Sequence, residues 1–338
     1  MSFEVSHLFK KYGSKVVVED LSFSMQEPGV YALLGTNGAG KTTSIRMMLG
    51  MLARDGGEAL WNGAPLTLDA CNIGYLAEER GLYPKYGLMD QLIYFASLRG
   101  VSKDTAKDRI RSLAKRLEVE EYLYPEKYAQ IAAPMLGQKK GFGGGAARAR
   151  RKAEKPKLAE QLSKGNQQKI QFMTALLSDP ELIVLDEPLS GLDPVNTDLI
   201  RDVIREEIAR GKYLIMSSHQ MSTVEEFCTD ITILDRSKTV LQGNLNAIKK
   251  SYGRVNLHLK CEENARPYIE AAGAAILSEK ENEYQIKVSG DAQGQEILSA
   301  LMAAGLSVIT FDLKEPSLHE IFVGKVGEEH EHVEQSEA

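Results

Sequence analysis

"GTNGAGKT", residues 35–42, fits the pattern G-x-x-x-x-G-K-[ST]. What flanks it matters as much as the match. The apolar run "GVYALLG" (29–35) leads in, and from Lys41 onward Ile45, Met48, Leu49 and Leu52 recur at helical spacing. In a strand, glycine-rich turn and helix so joined, backbone N–H groups close around a phosphate and the helix N-terminus adds a favourable field. A Gly-rich turn beside a surface lysine is the plain alternative, and it needs neither flank. Gly35, Asn37, Gly38, Ala39, Gly40, Lys41, Thr42 and Thr43 are thus the candidate nucleotide contacts. Lys41 is expected to reach the β- and γ-phosphates, and Thr42 to ligate Mg²⁺.

A second stretch completes the chemistry. "ELIVLDEP" (181–188) is a short apolar run ending in acid, which suits a fully buried parallel strand. Asp186, at its carboxyl end, is the expected Mg²⁺-side carboxylate. Glu187 follows, and a carboxylate pointing elsewhere can accept a proton from water. Two consecutive acids can also form a polar turn; beside a phosphate loop the catalytic reading is the stronger.

Length and composition bound the rest. At 338 residues the chain is too long for one typical core, so two or more domains are expected. A composition of 43% hydrophobic and 26% charged residues is that of a soluble globular protein. No apolar run approaches the ~18 residues of a membrane span, and "MSFEVSHLFKKYG" lacks a signal-peptide core. A cytosolic protein is expected, unless a partner holds it at a membrane. Cys71, Cys228 and Cys261 are scattered, with no CxxC, which argues for reduced thiols and against a zinc site. Net charge is −6, yet residues 127–157 hold nine Lys or Arg against one Glu.

Along the chain, "FEVSHLF", "KVVVEDLSFSM" and "GVYALLG" read as strands, and residues 86–124 as mostly helical. Residues 126–158, with "GFGGGAARARRKAEKP", lose periodicity, and the basic block 127–157 is expected to be a disordered insertion. "DPVNTDLIRDVIREEIARG" reads as a helix starting near Asp193-Pro194, "KYLIMSSH" as a buried strand, and "DITILDRSKTVLQG" as a hairpin. After the link "NLNAIKKSYG" the order β-α-β-β-α-β matches a ferredoxin-like unit. A short helix, "SLHEIFVGKV", closes it, and the acidic tail "GEEHEHVEQSEA" is expected to be disordered.

Further segments narrow the class. "LSKGNQ" (162–167) resembles the LSGGQ signature of ATP-binding-cassette (ABC) ATPases. "YLAEERGLYP" (75–84) resembles their Q-loop, "SGLD" (190–193) their D-loop, and His219 in "SSH" their switch histidine. The motifs stand in the family's order, and the likeness covers residues 1–245 apart from the basic block. The unit 251–325, ending in "EPSLHEIFV", resembles the small C-terminal domain of some bacterial ABC transporter ATPases.

The resemblance implies an α/β P-loop cassette, with a parallel core sheet, an antiparallel β subdomain and a helical subdomain. An α+β ferredoxin-like domain would follow at 251–325, and a tail at 326–338. In such cassettes two copies pack head to tail around two ATPs. Ser163 and the N–H groups around Gly165 would then bind the partner's nucleotide, although a serine before a helix can also be only its cap. By the same likeness Tyr12 stacks on adenine (or is a sheet-edge aromatic), Glu187 is the general base, His219 contacts the γ-phosphate, and Asp193 bridges the protomers.

Three departures stand out. Glu78 replaces the Q-loop Gln, and is either a variant metal ligand and coupling residue or a solvent-facing acid. Lys164 replaces a signature Gly, and either holds phosphate charge or sits in solvent. The basic block either touches RNA or anionic lipid, or is a bland insertion.

The implied function is ATP hydrolysis, with ATP and Mg²⁺ as cofactors, driving transport through separate transmembrane permease subunits that dock near the Q-loop and residues 83–100. The Glu-type Q-loop and the C-terminal domain favour export. The cassette pairs as a homodimer or with a second cassette, and sits on the inner face of the cell membrane through the permease. No nucleic acid is expected. The rivals are a soluble ABC ATPase acting on RNA or ribosomes, and a nucleotide-binding regulatory subunit with little turnover.

Overall fold

The computed structural model of the chain describes residues 1–79, 81–125 and 157–326. The insertion expected at 127–157 falls outside them except for Lys157, and so does the tail beyond 326. Tight contacts divide the chain into two units: residues 1–219 with 236–238, and 220–235 with 239 onward.

The first unit opens with strands β1 (Phe3–Tyr12) and β2 (Lys15–Met25). With β4 (Gly56–Trp61) and β5 (Ala64–Pro65) they form an antiparallel sheet in the order β2-β1-β4-β5. A second layer of this unit is parallel. Strands β3 (Gly29–Gly35), β8 (Tyr213–Ser218), β7 (Leu182–Asp186) and β6 (Ile73–Leu76) lie side by side in that order. Every residue of β3, β7 and β8 is buried, as expected of parallel strands covered on both faces.

Helix α1 (Lys41–Met48) springs from the loop after β3 and buries Ile45, Met47 and Met48. It ends four residues short of Leu52, because Gly50 takes a positive φ of 68° and turns the chain. Helices α2 (Leu88–Leu98), α3 (Lys103–Arg116) and α4 (Glu120–Leu123) fill the region read as helical. Helix α5 (Lys164–Leu176) carries the signature residues at its start and buries Ile170, Phe172 and Met173. It lies so close to β6 that a Cβ on Gly74 would fall 2.1 Å from the Ala175 carbonyl oxygen. Helix α6 (Pro194–Ala209) begins at Asp193-Pro194, as its Pro at the first turn demands.

In the second unit come α7 (Met221–Val224) and the neighbouring strands β9 (Asp230–Asp235) and β10 (Lys238–Asn244). The two residues joining those strands, Arg236 and Ser237, both have positive φ, 43° and 75°. That is a primed hairpin turn without its usual glycine. The stretch read as a link, 244–253, is instead helix α8 (Leu245–Tyr252). Asn244 caps it by accepting from the Ala247 N–H, Leu245 is buried, and Lys249 pairs with Glu225.

Strands β11 (Asn256–Cys261), β12 (Ala275–Lys280), β13 (Glu283–Lys287) and β14 (Val308–Lys314) form one antiparallel sheet ordered β12-β13-β11-β14. Helices α9 (Arg266–Ala271) and α10 (Asp291–Ala303) complete the β-α-β-β-α-β order read from sequence. Alternation in β11 sends Leu257 and Leu259 into a core with Tyr284, Ile286, Ile297 and Leu301. Fully burying each such side chain stabilises the unit by about 1.5–3 kcal/mol. A last helix over 318–326 buries Leu318 and Ile321. The three cysteines are free and buried; burial pushes the Cys71 thiol up to about 12 and raises those of Cys228 and Cys261.

The residues on either side of the basic block lie close together. The Lys157 ammonium sits 5.0 Å from the centre of the Tyr122 ring. Just beyond it, Leu158 bridges to Gly87. Replacing residues 128–156 by a short Gly/Ser bridge is therefore expected to leave the melting temperature unchanged or slightly raised, since long surface loops close at small entropic cost. A thermal melt with a phosphate-release assay checks this. A drop of several degrees, or lost turnover, would make the block an integral part of the fold.

Candidate nucleotide site

The phosphate loop takes a shape that only glycine allows at its end. Gly40 has φ 110°, and a Cβ there would stand 2.6 Å from the Val17 carbonyl oxygen. Thr36, Asn37 and Gly38 are exposed at the tip, while Gly35, Ala39, Gly40 and Lys41 are buried. The Lys41 ammonium donates to the carbonyls of Gly35 (2.9 Å) and Thr36 (3.2 Å) and lies 3.4 Å from Glu187 Oε1. The lysine thus bends back over the loop that a phosphate would fill. Thr43 is half-buried on the first turn of α1.

The strand ends supply the carboxylates. Register pairs Asp186 of β7 with Ser217 of β8. Asp186 Oδ1 accepts from Ser217 Oγ at 2.5 Å and from Thr42 Oγ1 at 3.2 Å. Its Oδ2 is buried with no partner among the described residues. Burial pushes the Asp186 carboxyl above its usual range, Ser217 and Thr42 hold it down, and the nearby Glu187 adds to the rise. An orphaned carboxylate oxygen beside a threonine hydroxyl is a hard-oxygen donor set that fits Mg²⁺.

Glu187 follows at φ 51°, left-handed for a residue with a Cβ. Such a conformation costs about 1–3 kcal/mol and persists only where its surroundings hold it. Here its N–H donates to Ser217 Oγ (2.9 Å) and its carbonyl accepts from the Ser190 N–H (3.2 Å). The twist carries its side chain away from Asp186's partners and toward Lys41 and His219. His219 Nδ1 lies 2.8 Å from Glu187 Oε2. Lys41, Thr42, Asp186, Glu187 and His219 therefore form one cluster, as their motifs implied.

The remaining candidates stand apart from it. Tyr12 ends β1, is 54% exposed, and has the Lys10 ammonium 5.2 Å from its ring centre. Glu78 is exposed, and no hydrogen bond or ion pair joins it to Thr42 or Asp186 among the described residues. Ser163 caps α5, accepting from the Asn166 N–H at 3.3 Å, and Lys164 is exposed. Gly165 is buried where a Cβ would meet the Asn196 side chain at 3.1 Å. Asp193 caps α6, accepting from the N–H of Asn196 at 3.0 Å and from its amide. Those bonds hold the Asp193 carboxyl below its usual range. Ser217 and Gln171 were not singled out from sequence; the doubled serine of "SSH" at a strand end was the available signal for the first.

The family model described as ABC transporter matches residues 18–190. An uncharacterized ABC transporter ATP-binding protein of Bacillus subtilis (strain 168), YhaQ, is 37% identical over 96% of this chain and 98% of its own length. The chain belongs to the ABC transporter ATP-binding family. A second family model, for the C-terminal domain of DrrA1-3-like ATP-binding proteins, matches residues 243–326 of this family member. Nod factor export ATP-binding protein I of Mesorhizobium japonicum is 30% identical over 75% of the chain and 64% of its own length. A solved structure titled as the ATP-binding subunit of an ABC transporter aligns with TM-score 0.60 at 25% identity, covering 75% of this chain and 93% of that one. This chain is thus an ATP-binding subunit of an ABC transporter, and its family hydrolyses ATP. Among the described residues no helix is long and apolar enough to cross a membrane.

Asp186 gives a test within this family frame. Its folded pKa lies above its unfolded one, so the folded state holds the proton more tightly. Without nucleotide, stability should therefore fall as pH rises above about 3.8 toward the folded pKa. Asp186→Asn removes that loss. It is expected to melt higher than wild type at neutral pH without ligand, and to gain nothing from Mg²⁺ with ATP. Melts from about pH 4 to about pH 8, with and without Mg-ATP, check both halves.

Proposed function

We propose that the chain powers export through separate transmembrane permease subunits, by ATP-dependent head-to-tail pairing with a second cassette of the same or another chain. One observation carries the reading. The Lys41–Asp186–Glu187–His219 cluster and the Ser163 helix start occupy one chain, and no hydrogen bond or ion pair joins them among the described residues. Each half then needs its complement from another copy. The relatives named for Nod factor export support the direction.

The steps follow from this chain's residues. The loop's N–H groups and Lys41 take the β- and γ-phosphates, so Lys41 gives up its carbonyls and its contact with Glu187. Thr42 and Asp186 would hold Mg²⁺, which would supply charge neutralisation at the phosphates. Glu187, freed from Lys41, accepts a proton from the attacking water as the water's oxygen bonds to the γ-phosphorus; the bond from that phosphorus to the β–γ bridging oxygen breaks, and ADP leaves with the electron pair. His219 holds Glu187 and orients the water. Ser163 of the facing copy donates its hydroxyl proton to a γ-phosphate oxygen, since the Ser163 oxygen itself already accepts from the Asn166 N–H. Tyr12 stacks on the adenine, Asp193 bridges the copies, and Glu78 would serve as a further metal ligand and as the residue that couples the site to the permease.

The permease would meet residues 83–100. There Tyr83, Tyr86 and Tyr94 are exposed around a cavity of about 520 Å³ that also touches Asp90 and Gln91. Gln91, itself buried, fixes the turn by accepting from the Tyr83 N–H (2.7 Å) and donating to the carbonyls of Tyr83 and Tyr86. The test is affinity purification from detergent-solubilised membranes. A multi-span membrane protein should copurify in fixed ratio and stimulate phosphate release. RNase-sensitive association with ribosomes, and no membrane protein, would sink the reading.

A further inference from the structure

Gln171 lies on α5, eight residues past Ser163, and is only 5% exposed. Its side chain leaves its own helix for the loop after β6. The amide nitrogen donates to the Ala77 carbonyl at 3.1 Å and to the Glu79 carbonyl at 2.8 Å. Both amide hydrogens are used, and the two carbonyls are those flanking Glu78. The approach is close, since a Cβ on Gly81 would stand 3.6 Å from the same nitrogen. At the other end of α5, Gly165 packs against Asn196, where a Cβ would meet the amide nitrogen at 3.1 Å. One helix therefore grips the Glu78 loop at its middle and presents Ser163 at its start.

We propose that Gln171 is a positioning residue that ties the Glu78 loop to the Ser163 helix, so that the state of the loop sets where Ser163 meets the facing copy's nucleotide. The proposal rests on the roles given above to Glu78 and Ser163. A helix transmits displacement along its axis, and two bonds from one amide to the carbonyls on either side of Glu78 fix the loop's orientation as well as its distance. Among the described residues no hydrogen bond or ion pair joins Gln171 to Lys41 or the phosphate loop, so ATP binding to the chain's own loop should not depend on the tie.

A double-mutant cycle on the full chain tests it. Gln171→Met keeps the length and packing of the side chain and removes both donors. It is expected to lower kcat by about tenfold or more, as small misplacements of a reacting group do. The Kd for ATP should stay within about twofold, because the P-loop half is intact. Glu78→Ala should lower kcat as well. In the Glu78→Ala background, Gln171→Met should then cost less than about twofold, since both changes break one connection.

Fully multiplicative losses would overturn the tie. So would a fall in kcat that merely follows a fall in melting temperature. A silent Glu78→Ala refutes the role given to Glu78 and leaves Gln171 to be judged alone. In that case Gln171→Met with lower kcat, unchanged Kd and unchanged melting temperature upholds a tie through the loop backbone, and a silent Gln171→Met overturns it.

Discussion

Glu187→Gln is expected to slow ATP hydrolysis by ~100-fold or more while ATP still binds. The amide keeps the size of the side chain and its capacity to meet His219, but it cannot accept the water's proton. The left-handed backbone at Glu187, held by Ser217 and Ser190, does not depend on the charge, so the fold should be unaffected. The 3.4 Å contact with Lys41 adds a second effect. A carboxylate that holds the lysine competes with phosphate for it, and a neutral amide competes less, so ATP affinity should rise rather than fall. Slow turnover with tight binding should trap the nucleotide-bound pair, visible as a dimer by size-exclusion chromatography with ATP and Mg²⁺. Turnover near the wild-type rate would remove Glu187 from the role of base.

Ser163→Arg is expected to abolish turnover and leave ATP binding in place. The long cation replaces a hydroxyl at the start of α5, which no hydrogen bond or ion pair joins to the chain's own phosphate cluster among the described residues. Under the proposed head-to-tail pairing, its damage should fall on the nucleotide of the facing copy. Lys41→Ala does the reverse, weakening the chain's own phosphate seat and sparing its signature helix. Mixed one to one, the two inactive proteins should recover partial activity. The Ser163→Arg copy offers an intact phosphate loop, and the Lys41→Ala copy faces it with an intact Ser163. Each mixed pair then holds one working site. No recovered activity and no nucleotide-dependent pairing in the mixture would count decisively against the head-to-tail arrangement.

Much of this was legible in the sequence, for a physical reason. Phosphate binding requires small residues at fixed offsets between a strand and a helix, so Gly35 to Thr42 had to be read together. The buried parallel strands β7 and β8 were visible as short apolar runs ending in Asp186 and in "SSH". The ferredoxin-like unit showed its alternation of periods.

What was not legible depended on partners distant in the chain. Ser217 joins Asp186 across 31 positions, through strand register alone. Gln171 reaches the Glu78 loop across more than 90 positions. The buried packing of Gly165 on Asn196 is invisible without the fold, because the same glycine reads as a phosphate-binding residue. Helix α8 was read as a link although an Asn cap, two terminal lysines and a closing Gly253 mark its ends. Its eight residues bury mainly Leu245, too little apolar face to stand out as periodic.

The three cysteines carry a practical consequence. Each thiol is buried and held in its protonated form, so none offers a ready thiolate to an alkylating reagent while the fold is intact. The natural chain is therefore a quiet background for site-specific labelling. A single cysteine introduced at an exposed position, such as Asn37 at the loop tip or Lys164 beside the signature serine, should react alone. Fluorophores or spin labels at two such positions would report the distance between facing copies during turnover. The native thiols would serve as an internal clock, since their labelling rate counts how often each unit opens.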